Sequence, residues 1–301
     1  MSSYSELKNF CESFGCECIF DAPLSGYTSF RIGGNADAMV FPDSAEKLIK
    51  TVAYIKEIGL PLLVIGKGSN LLFSDEGFRG VIINTCNMCR IELEGEDTIY
   101  CECGASLTRI AKFALENSLT GFEFAYGIPG TAGGGVYMNA GAYGGEIKDV
   151  IIESTYIDSD GNIGTFNNEE MKLSYRHSIY SENGFIVVSM RIKLAKGDAA
   201  EIKAKMDDLM FRRKDKQPVE FPSAGSTFKR PEGYFAAALI DEAGLKGFTV
   251  GGAQVSEKHA GFVINKGGAT AADVLALIEH IKAVVLEKSG VTLETEVKII
   301  K

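Results

Sequence analysis

Residues 123–146 constrain the fold more than any other stretch of this sequence. Seven glycines fall between Gly127 and Gly144, with one proline and no lysine or arginine. Glycine loses more conformational freedom on folding than any other residue, so such a cluster requires positive φ angles or the close approach of a backbone or ligand. We interpret the stretch as main-chain N–H groups arranged around an anion such as a phosphate.

A flexible glycine-rich linker is the alternative interpretation of this stretch. Linkers of that kind are rich in serine and other polar residues. Aromatic and aliphatic side chains occur here instead, at Phe122, Phe124, Tyr126, Ile128, Val136, Tyr137, Met138 and Tyr143. The composition therefore favours a ligand-binding loop.

A second glycine turn occupies residues 66–70, with the sequence Gly-Lys-Gly-Ser-Asn. The pattern before it predicts a strand over 37–41, a helix opened by Asp43-x-x-Glu46 and a buried strand over 62–65. In such a β-α-β arrangement, ligands bind at the carboxyl ends of the strands. The turn matches neither the P-loop nor the dinucleotide Gly-x-Gly-x-x-Gly pattern. Together with residues 123–146, it predicts two loops that grip the ends of one diphosphate ligand.

Length and charge limit the class of protein. The 301 residues allow two or three domains, and 46% hydrophobic with 24% charged residues exclude wholesale disorder. The net charge of −9 argues against nucleic acid as the main partner. No run of residues is long and apolar enough to insert into a membrane, and the first residues lack a signal-peptide pattern. Seven cysteines fit a reducing compartment, so we expect a cytoplasmic protein. We also expect the protein to be a monomer.

The cysteines allow two interpretations. Cys86-x-x-Cys89 followed by Cys101-x-Cys103 could supply four thiolates to zinc. Cys101 and Cys103 also alternate within a predicted strand, which places both thiols on one face. Because free cysteine is usually a small buried hydrophobe, we favour packing and expect no metal site.

The remaining pattern predicts three segments, namely residues 1–80, 81–205 and 206–301. Helices are predicted over 106–117, 235–242 and 271–287, and Asp158-Ser-Asp-Gly161 predicts a hairpin turn. A helix that begins at Asp198 becomes basic at its end, which indicates the boundary of the last, α+β segment.

Cations cluster near that boundary. The six within twenty residues are Arg212, Arg213, Lys214, Lys216, Lys229 and Arg230. A helix C-terminus favours cations and could explain the first four. Lys229 and Arg230 follow a glycine turn instead, so a local positive site in an acidic protein indicates an anionic small ligand.

Six motifs, in this order, carry a resemblance to a known family. They are Gly66-Lys-Gly-Ser-Asn-Leu-Leu, Gly127-Ile-Pro-Gly-Thr-Ala-Gly-Gly, Asn139-Ala-Gly-Ala-Tyr-Gly, Tyr175-Arg-His-Ser, Gly225-Ser-Thr-Phe-Lys-Arg-Pro and Leu293-Glu-Thr-Glu-Val. The chain resembles the MurB family, the UDP-N-acetylenolpyruvoylglucosamine reductases of peptidoglycan synthesis, from about Tyr27 to Lys298. The resemblance implies an α+β protein with an FAD-binding fold of the PCMH or vanillyl-alcohol-oxidase type, built from two subdomains, plus a C-terminal substrate-binding domain.

The resemblance also implies roles for individual residues. Non-covalent FAD would be held by the two glycine loops, through Gly66, Gly68, Ser69, Asn70, Gly127, Thr131, Gly133, Gly134 and Asn139. Arg176 would bind and polarise the substrate carboxylate, Ser226 would protonate the substrate, and Glu296 would stabilise the intermediate with Arg176. NADPH would supply the hydride, and the substrate would be UDP-N-acetylglucosamine enolpyruvate.

These roles agree with the chemistry of reducing an enolpyruvyl ether. Hydride addition at the terminal carbon pushes charge onto the carboxylate, and a guanidinium there stabilises charge that develops in the transition state. Protonation of the adjacent carbon then needs a nearby donor, and an alcohol suffices only against so basic an intermediate.

The sequence departs from the longer members of the family. These carry an inserted loop with a tyrosine that closes over the UDP diphosphate, and the chain is too short between Tyr180 and Phe228 to hold it. We therefore expect the shorter subtype. Arg230 stands where the longer form has asparagine, and our hypothesis is that Arg230 binds the diphosphate with Lys214 or Lys216.

Two other functions remain open at this stage. A flavin oxidase of the same fold would often attach FAD through histidine or cysteine, and the glycine loops contain neither. A nucleotide-binding or regulatory module would leave Arg176, Ser226 and Glu296 without a role. A solvent-facing arginine, a turn serine and an edge-strand glutamate are the structural alternatives for these three residues.

Overall fold

Short amphipathic segments separated by glycine, proline and aspartate turns form a mixed α and β structure in the computed structural model, which describes residues 3–301. The helices are α1 (Ser3–Ser13), α2 (Ala45–Glu57), α3 (Leu107–Glu116), α4 (Ala132–Tyr137), α5 (Tyr180–Asn183), α6 (Ala199–Lys216), α7 (Ala236–Glu242) and α8 (Ala271–Ser289). The strands are β1 (Glu17–Pro23), β2 (Asn35–Phe41), β3 (Leu62–Ile65), β4 (Leu71–Phe73), β5 (Phe78–Asn84), β6 (Ile91–Glu94), β7 (Thr98–Glu102), β8 (Leu119–Thr120), β9 (Gly141–Ala142), β10 (Gly145–Glu146), β11 (Ile151–Ile157), β12 (Ile163–Asn167), β13 (Ile186–Lys193), β14 (Ala195–Lys196), β15 (Thr249–Val250), β16 (Ala253–Val255), β17 (Val263–Asn265) and β18 (Lys298–Ile300).

Side-chain caps set the helix boundaries. Ser106 accepts the Arg109 N–H at 3.2 Å and starts α3, which confirms the helix predicted over 106–117. The start predicted for α2 is wrong by a small margin, because Ser44, rather than Asp43, accepts the Lys47 N–H at 3.3 Å. Asp43 lies outside the helix and forms an ion pair with the ammonium of Lys47.

The strands form one four-stranded, one five-stranded and one three-stranded sheet, with smaller pairs beside them. The orders are β1-β2-β5-β3, β12-β11-β13-β7-β6 and β15-β16-β17. β3 pairs with β5 in parallel, and β5 lies between β3 and β2 in the sheet. The two strands that flank α2 in the predicted β-α-β arrangement are therefore not direct neighbours. The five-stranded sheet is antiparallel throughout, and β11 and β12 form the hairpin predicted at Asp158–Gly161.

The chain divides into two compact units. Unit 1 consists of residues 1–20, 38–67 and 80–212, and unit 2 of residues 21–37, 68–79 and 213–301. The three segments predicted from the sequence stay a prediction, and residues 1 and 2, which the first segment includes, lie outside the described residues. Within residues 3–301, no helix has both the length and the apolar character that crossing a bilayer requires.

Cysteines belong to the core of unit 1. Cys101 and Cys103 are 0% and 1% exposed, and burial raises the pKa of both thiols. These thiols therefore stay protonated at neutral pH and pack as small hydrophobic groups. The described residues contain no group of three or more His, Cys, Asp or Glu side chains arranged to hold a metal ion.

Glu123 is the buried carboxylate at the start of the glycine-rich stretch in unit 1. It is 2% exposed, accepts the Thr120 hydroxyl at 2.5 Å and forms an ion pair with Lys205 at 3.1 Å. Burial alone would raise the pKa of Glu123, but these partners and the backbone N–H of Gly121 outweigh it and lower the pKa. The charged carboxylate therefore stabilises the fold.

Asp75 ties the segment before β5 to α8 within unit 2. Its two carboxylate oxygens accept the backbone N–H groups of Ala271 and Ala272 at 2.7 and 3.0 Å. Helix N-terminal N–H groups lack partners within the helix, and negative charge is favourable there. Asp75 thus joins two parts of unit 2 that are distant in the sequence.

We expect Asp75→Ala to lower the free energy of unfolding by about 1–2 kcal/mol. The substitution removes the carboxylate that accepts two backbone N–H groups and a negative charge at a helix N-terminus. Thermal or urea unfolding measures this change. Asp160→Ala is the matched control, since Asp160 is exposed on the β11–β12 turn. An equal loss in both variants would contradict the capping role.

We expect Glu123→Gln to destabilise the protein at pH 7 and to matter progressively less in acid. The pKa of Glu123 is lowered from its usual 4.5, so its stabilisation is present above pH 4.5 and is lost as the pH falls through the lower, folded-state value. Urea unfolding between pH 3 and pH 7 (roughly the window in which carboxyl groups titrate) measures the difference. Glu96→Gln, at an exposed turn, serves as the control. A constant difference across this range would contradict the assignment.

Candidate functional site

Gly66 lies against Thr131 in unit 1. A Cβ placed on Gly66 would lie 2.2 Å from the Thr131 Oγ1, which is far inside van der Waals contact. Thr131 is 2% exposed and caps α4 by accepting the Gly134 N–H at 3.4 Å, so it cannot easily move away. The two predicted glycine loops therefore meet at this point, and only glycine at position 66 permits the contact.

The N–H groups at the start of α4 bind the protein itself. Those of Ala132 and Gly133 donate to the carbonyls of Ala105 and Cys103 at 2.8 Å each. Those of Gly134 and Gly135 donate to the Oγ1 and carbonyl of Thr131. For these four residues, the sequence interpretation of N–H groups arranged around an anion does not hold.

Crowding by neighbouring atoms explains the glycine at position 133, whereas Gly134 is open enough for another group to approach its Cα closely. A Cβ at Gly133 would lie 3.0 Å from the Cβ of Cys103, so that position is crowded. Gly134 is exposed, and a Cβ there would meet Thr131 at 3.5 Å, which is ordinary contact. Gly127 lies half-buried in a turn. Contact of these glycines with a cofactor stays a prediction, and at Gly133 and Gly134 it would involve the bare Cα surface.

The turn over residues 66–70 has the features of an anion site. Gly68 has a φ of +58°, and a Cβ there would lie 2.5 Å from the carbonyl oxygen of Tyr27 in unit 2. Within residues 3–301, the backbone N–H groups of Lys67, Gly68 and Ser69 have no protein acceptor. Consecutive unbonded N–H groups in a glycine turn are suited to a phosphate oxygen. The sequence predicted a ligand turn at residues 66–70, but it did not predict that the Tyr27 carbonyl would lie against Gly68.

Asn70 connects this turn to Glu296 within unit 2. Its side-chain amide donates to the carbonyl of Glu296 at 3.1 Å, and its own carbonyl accepts the Lys298 N–H at 3.0 Å. β18 then continues in parallel beside β4. Glu296, half-buried, is thereby fixed at the end of the glycine turn although 226 residues separate it from Asn70.

Ser226 lies on a strand-like segment beside Glu296. The Glu296 N–H donates to the carbonyl of Thr227 at 2.8 Å, and Phe228 forms an isolated antiparallel bridge with Thr295. On its other side, the Thr227 N–H donates to the Gly261 carbonyl at 2.9 Å. The structure thus brings the motifs of Asn70, Ser226 and Glu296 together in unit 2.

The Ser226 hydroxyl has no protein hydrogen-bond partner among the described residues, and the side chain is half-buried. Gly225 before it has a φ of +76°, which turns the chain where a side chain would be strained. Backbone hydrogen bonds of the next residue, Thr227, hold this segment on both sides. Proton donation by the Ser226 hydroxyl stays a prediction.

Arg176 lies in a tight turn in unit 1. Ser174 and His177 exchange two backbone hydrogen bonds of 3.1 Å, which places Tyr175 and Arg176 at the tip. Arg176 has a φ of +55°, a conformation unfavourable for a residue with a Cβ. Its guanidinium lies 5.1 Å from the ring centroid of Tyr175. Strained backbone of this kind is concentrated at functional sites.

Asn139 anchors that turn rather than presenting its amide to solvent. It is 0% exposed, and its Nδ2 donates to the Ser174 carbonyl at 3.0 Å and to Glu146 at 2.5 Å. Its Oδ1 accepts the Lys148 N–H at 2.9 Å. The cofactor contact predicted for Asn139 stays a prediction, whereas the structure gives it a positioning role toward Arg176 that sequence reasoning missed. The local sign of this positioning role is that Asn139 is buried and has a φ of +42°.

The predicted substrate-binding cations Lys214, Lys216 and Arg230 lie in unit 2. Lys214 and Lys216 are exposed in the last turn of α6, and the carbonyl of Lys214 accepts the ammonium of Lys258 at 2.6 Å. Arg230 is exposed and its guanidinium lies 4.7 Å from the ring centroid of Phe235. Joint binding of a diphosphate by these cations stays a prediction.

The residues of the 66–70 turn fit the pyrophosphate of the cofactor that the sequence resemblance implies. The backbone N–H groups of Lys67, Gly68 and Ser69 can donate hydrogen bonds to an anion. Among residues 3–301, nothing else in the two loops uses the N–H groups of residues 67–69. The chemistry of the donor set is therefore compatible with FAD.

Two families match the sequence. Residues 217–300 match the C-terminal domain of UDP-N-acetylenolpyruvoylglucosamine reductase, and residues 36–167 match the FAD binding domain. The moss Physcomitrella patens BBE-like 1 protein has a related fold, with a TM-score of 0.50 and 18% identity over 63% of this chain and 44% of its own.

Similar proteins cover nearly the whole chain. UDP-N-acetylenolpyruvoylglucosamine reductase from Caldanaerobacter subterraneus is 52% identical over 92% of both chains, and that from Clostridium perfringens is 49% identical over 100% of this chain and 99% of its own. The crystal structure of MurB from Thermus caldophilus has a TM-score of 0.81 and 34% identity, covering 95% of this chain and 99% of its own. The predicted FAD-binding fold with a C-terminal domain is confirmed. The chain belongs to the UDP-N-acetylenolpyruvoylglucosamine reductase (MurB) family.

Proposed function

We propose that this chain reduces UDP-N-acetylglucosamine enolpyruvate to UDP-N-acetylmuramate for peptidoglycan synthesis, with FAD as its cofactor and NADPH as hydride source. Bound FAD supplies hydride transfer from NADPH to the enolpyruvyl group. Family membership supports the reaction. The residue roles are supported by two hydrogen bonds of Glu296, one to the Thr227 carbonyl next to Ser226 and one from the amide of Asn70 in the glycine turn.

Arg176 is the proposed carboxylate-binding residue. A guanidinium can form two parallel charge-assisted hydrogen bonds with a carboxylate. Negative charge grows on that carboxylate as hydride adds to the terminal carbon, so the interaction strengthens in the transition state. The tight turn and the anchoring by Asn139 hold the backbone of Arg176 in one position before substrate binds, which supports this role.

Ser226 is the proposed proton donor. Its hydroxyl is without a protein partner among residues 3–301, so donation to the substrate carbon breaks no hydrogen bond. Glu296, fixed beside it by the Thr227 carbonyl, is proposed to stabilise the intermediate together with Arg176. An alcohol can protonate the adjacent carbon because the dianionic enolate is strongly basic.

The cofactor loops have two proposed tasks. The turn over residues 66–70 would bind pyrophosphate through its backbone N–H groups, with Gly66, Gly68, Ser69 and Asn70 as the contacts. Gly127, Thr131, Gly133, Gly134 and Asn139 are proposed to shape the wall along which FAD lies. Arg230, with Lys214 or Lys216, is proposed to bind the substrate diphosphate in place of the tyrosine loop that longer members have.

A flavin oxidase of the same fold, the alternative that the sequence left open, is the second candidate function. Reduction of purified protein by NADPH, followed by reoxidation with UDP-N-acetylglucosamine enolpyruvate without oxygen, separates the two. Full-speed reoxidation by oxygen alone would favour the oxidase. We also propose that the protein is a cytoplasmic monomer, that it is of the shorter subtype, and that it divides into the three segments predicted from the sequence.

We expect Ser226→Ala to retain FAD and its reduction by NADPH while substrate-dependent reoxidation slows by about 10²–10⁴-fold, since a positioned proton donor contributes that much. Anaerobic stopped-flow absorbance measures the two half-reactions separately. Ser13→Ala, at an exposed serine of α1, is the matched control. Loss of both half-reactions in Ser226→Ala would refute a pure proton-donor role.

We expect Arg176→Gly to uncouple stability from activity. Glycine adopts the positive φ of residue 176 without strain, so unfolding should become harder by about 1 kcal/mol, while substrate turnover falls by about 10²–10³-fold because the guanidinium is gone. Lys172→Gly is the matched control, because exposed Lys172 has a φ of +49° and should gain stability without losing turnover. Full activity of Arg176→Gly would exclude the proposed carboxylate contact.

A further inference from the structure

A cavity of about 1100 Å³ lies wholly within unit 1 and is lined by none of the proposed FAD or substrate residues. It is bordered by the start of α2, the segment leading into β6, the outer face of β7 and the helix α3. We call it the α3 groove. Small-molecule sites typically enclose about 300–1,000 Å³, so the groove is large enough for a nucleotide-sized molecule.

Most of the acidic side chains of the α3 groove already have cationic partners. Asp43 is 2.8 Å from the ammonium of Lys47, and Glu102 is 3.8 Å from the Nε of the Arg90 guanidinium. Glu46 at the start of α2 is 2.7 Å from Lys50. These carboxylates therefore add little unbalanced negative charge to the groove.

The cations on α3 have no such partners. Arg109 and Lys112 are exposed on one face of the helix, three residues apart, and neither side chain forms an ion pair or hydrogen bond within residues 3–301. Glu116 lies four residues after Lys112, but lysine before glutamate is the less favourable order for a helical pair. Two adjacent unbalanced cations in a protein of net charge −9 indicate an anionic partner.

Flat apolar surface borders these cations. Phe113 and Ile91 are partly buried against the core of unit 1 and also line the groove. The ring of Tyr100 lies 5.2 Å from the guanidinium carbon of Arg90, so a cation already covers part of it. Phe113 and Ile91 therefore offer a surface against which a planar ring can lie.

We propose that the α3 groove binds a nucleoside phosphate. The base lies against Phe113 and Ile91, and the phosphate is bound by Arg109 and Lys112. The site is separate from the proposed reductase site, because the residues that line it contribute nothing to FAD or substrate binding as assigned above.

The test uses the FAD-bound protein, with AMP and inorganic phosphate as probes in isothermal titration calorimetry at low salt. Flavin absorbance, followed in the same titration, reports displacement of FAD. We expect AMP to bind with FAD retained, and inorganic phosphate to bind more weakly because it lacks the ring. Absence of AMP binding, or binding only with release of FAD, would overturn the proposal.

Two groove variants separate the charge from the ring. Arg109→Gln/Lys112→Gln should weaken AMP binding by roughly tenfold or more per cation lost, since charge-assisted hydrogen bonds are of that strength. Phe113→Leu should weaken AMP but not phosphate. Lys172→Gln/Lys196→Gln removes two exposed charges elsewhere in unit 1 and is the matched control.

AMP affinity that survives in Arg109→Gln/Lys112→Gln, or an equal loss in the control variant, would overturn the assignment to this groove. All groove variants should keep the NADPH-dependent turnover of the wild type measured without AMP. Calorimetry does not depend on turnover, so failure of the proposed reductase function and failure of this site give different results.

Discussion

The contact between Gly66 and Thr131 is the constraint on which the cofactor loops depend. A single methyl group at position 66 would lie 2.2 Å from the Thr131 oxygen, and Thr131 in turn caps α4. The start of α4 is fixed in the same region, because its first N–H groups donate to the carbonyls of Ala105 and Cys103. A dense glycine sequence thus produces a tightly packed loop, not a mobile one, and leaves the unbonded N–H groups to the neighbouring turn at residues 67–69.

Backbone pairing, together with the side-chain amides of Asn70 and Asn139, positions the residues proposed for chemistry. Thr227 binds Glu296 on one side and Gly261 on the other, and the turn that carries Arg176 is closed by Ser174 and His177. The backbone at these positions is therefore fixed by neighbouring residues. At Arg176, the strain of a positive φ is retained together with the guanidinium.

Local patterns in the sequence predicted the local structure well. The helix predicted over 106–117 forms as α3, β3 spans the predicted residues 62–65, and the family resemblance identified the fold. Long-range pairing was not predictable in this way. β4 is a strand because β18 pairs with it from the far end of the sequence, and no local periodicity records that partner. The anchoring role of Asn139 likewise depends on Ser174, 35 residues away.

The pairing of β4 with β18 has a consequence for the order in which the protein is made. Asn70 is synthesised early, but the carbonyl of Glu296 that orients its amide and the strand that flanks it emerge 226 residues later. Loop closure over such a distance opposes early ordering of the glycine turn. The turn that binds the cofactor in our proposal therefore acquires its last structural partners only when residues 296–300 have been synthesised.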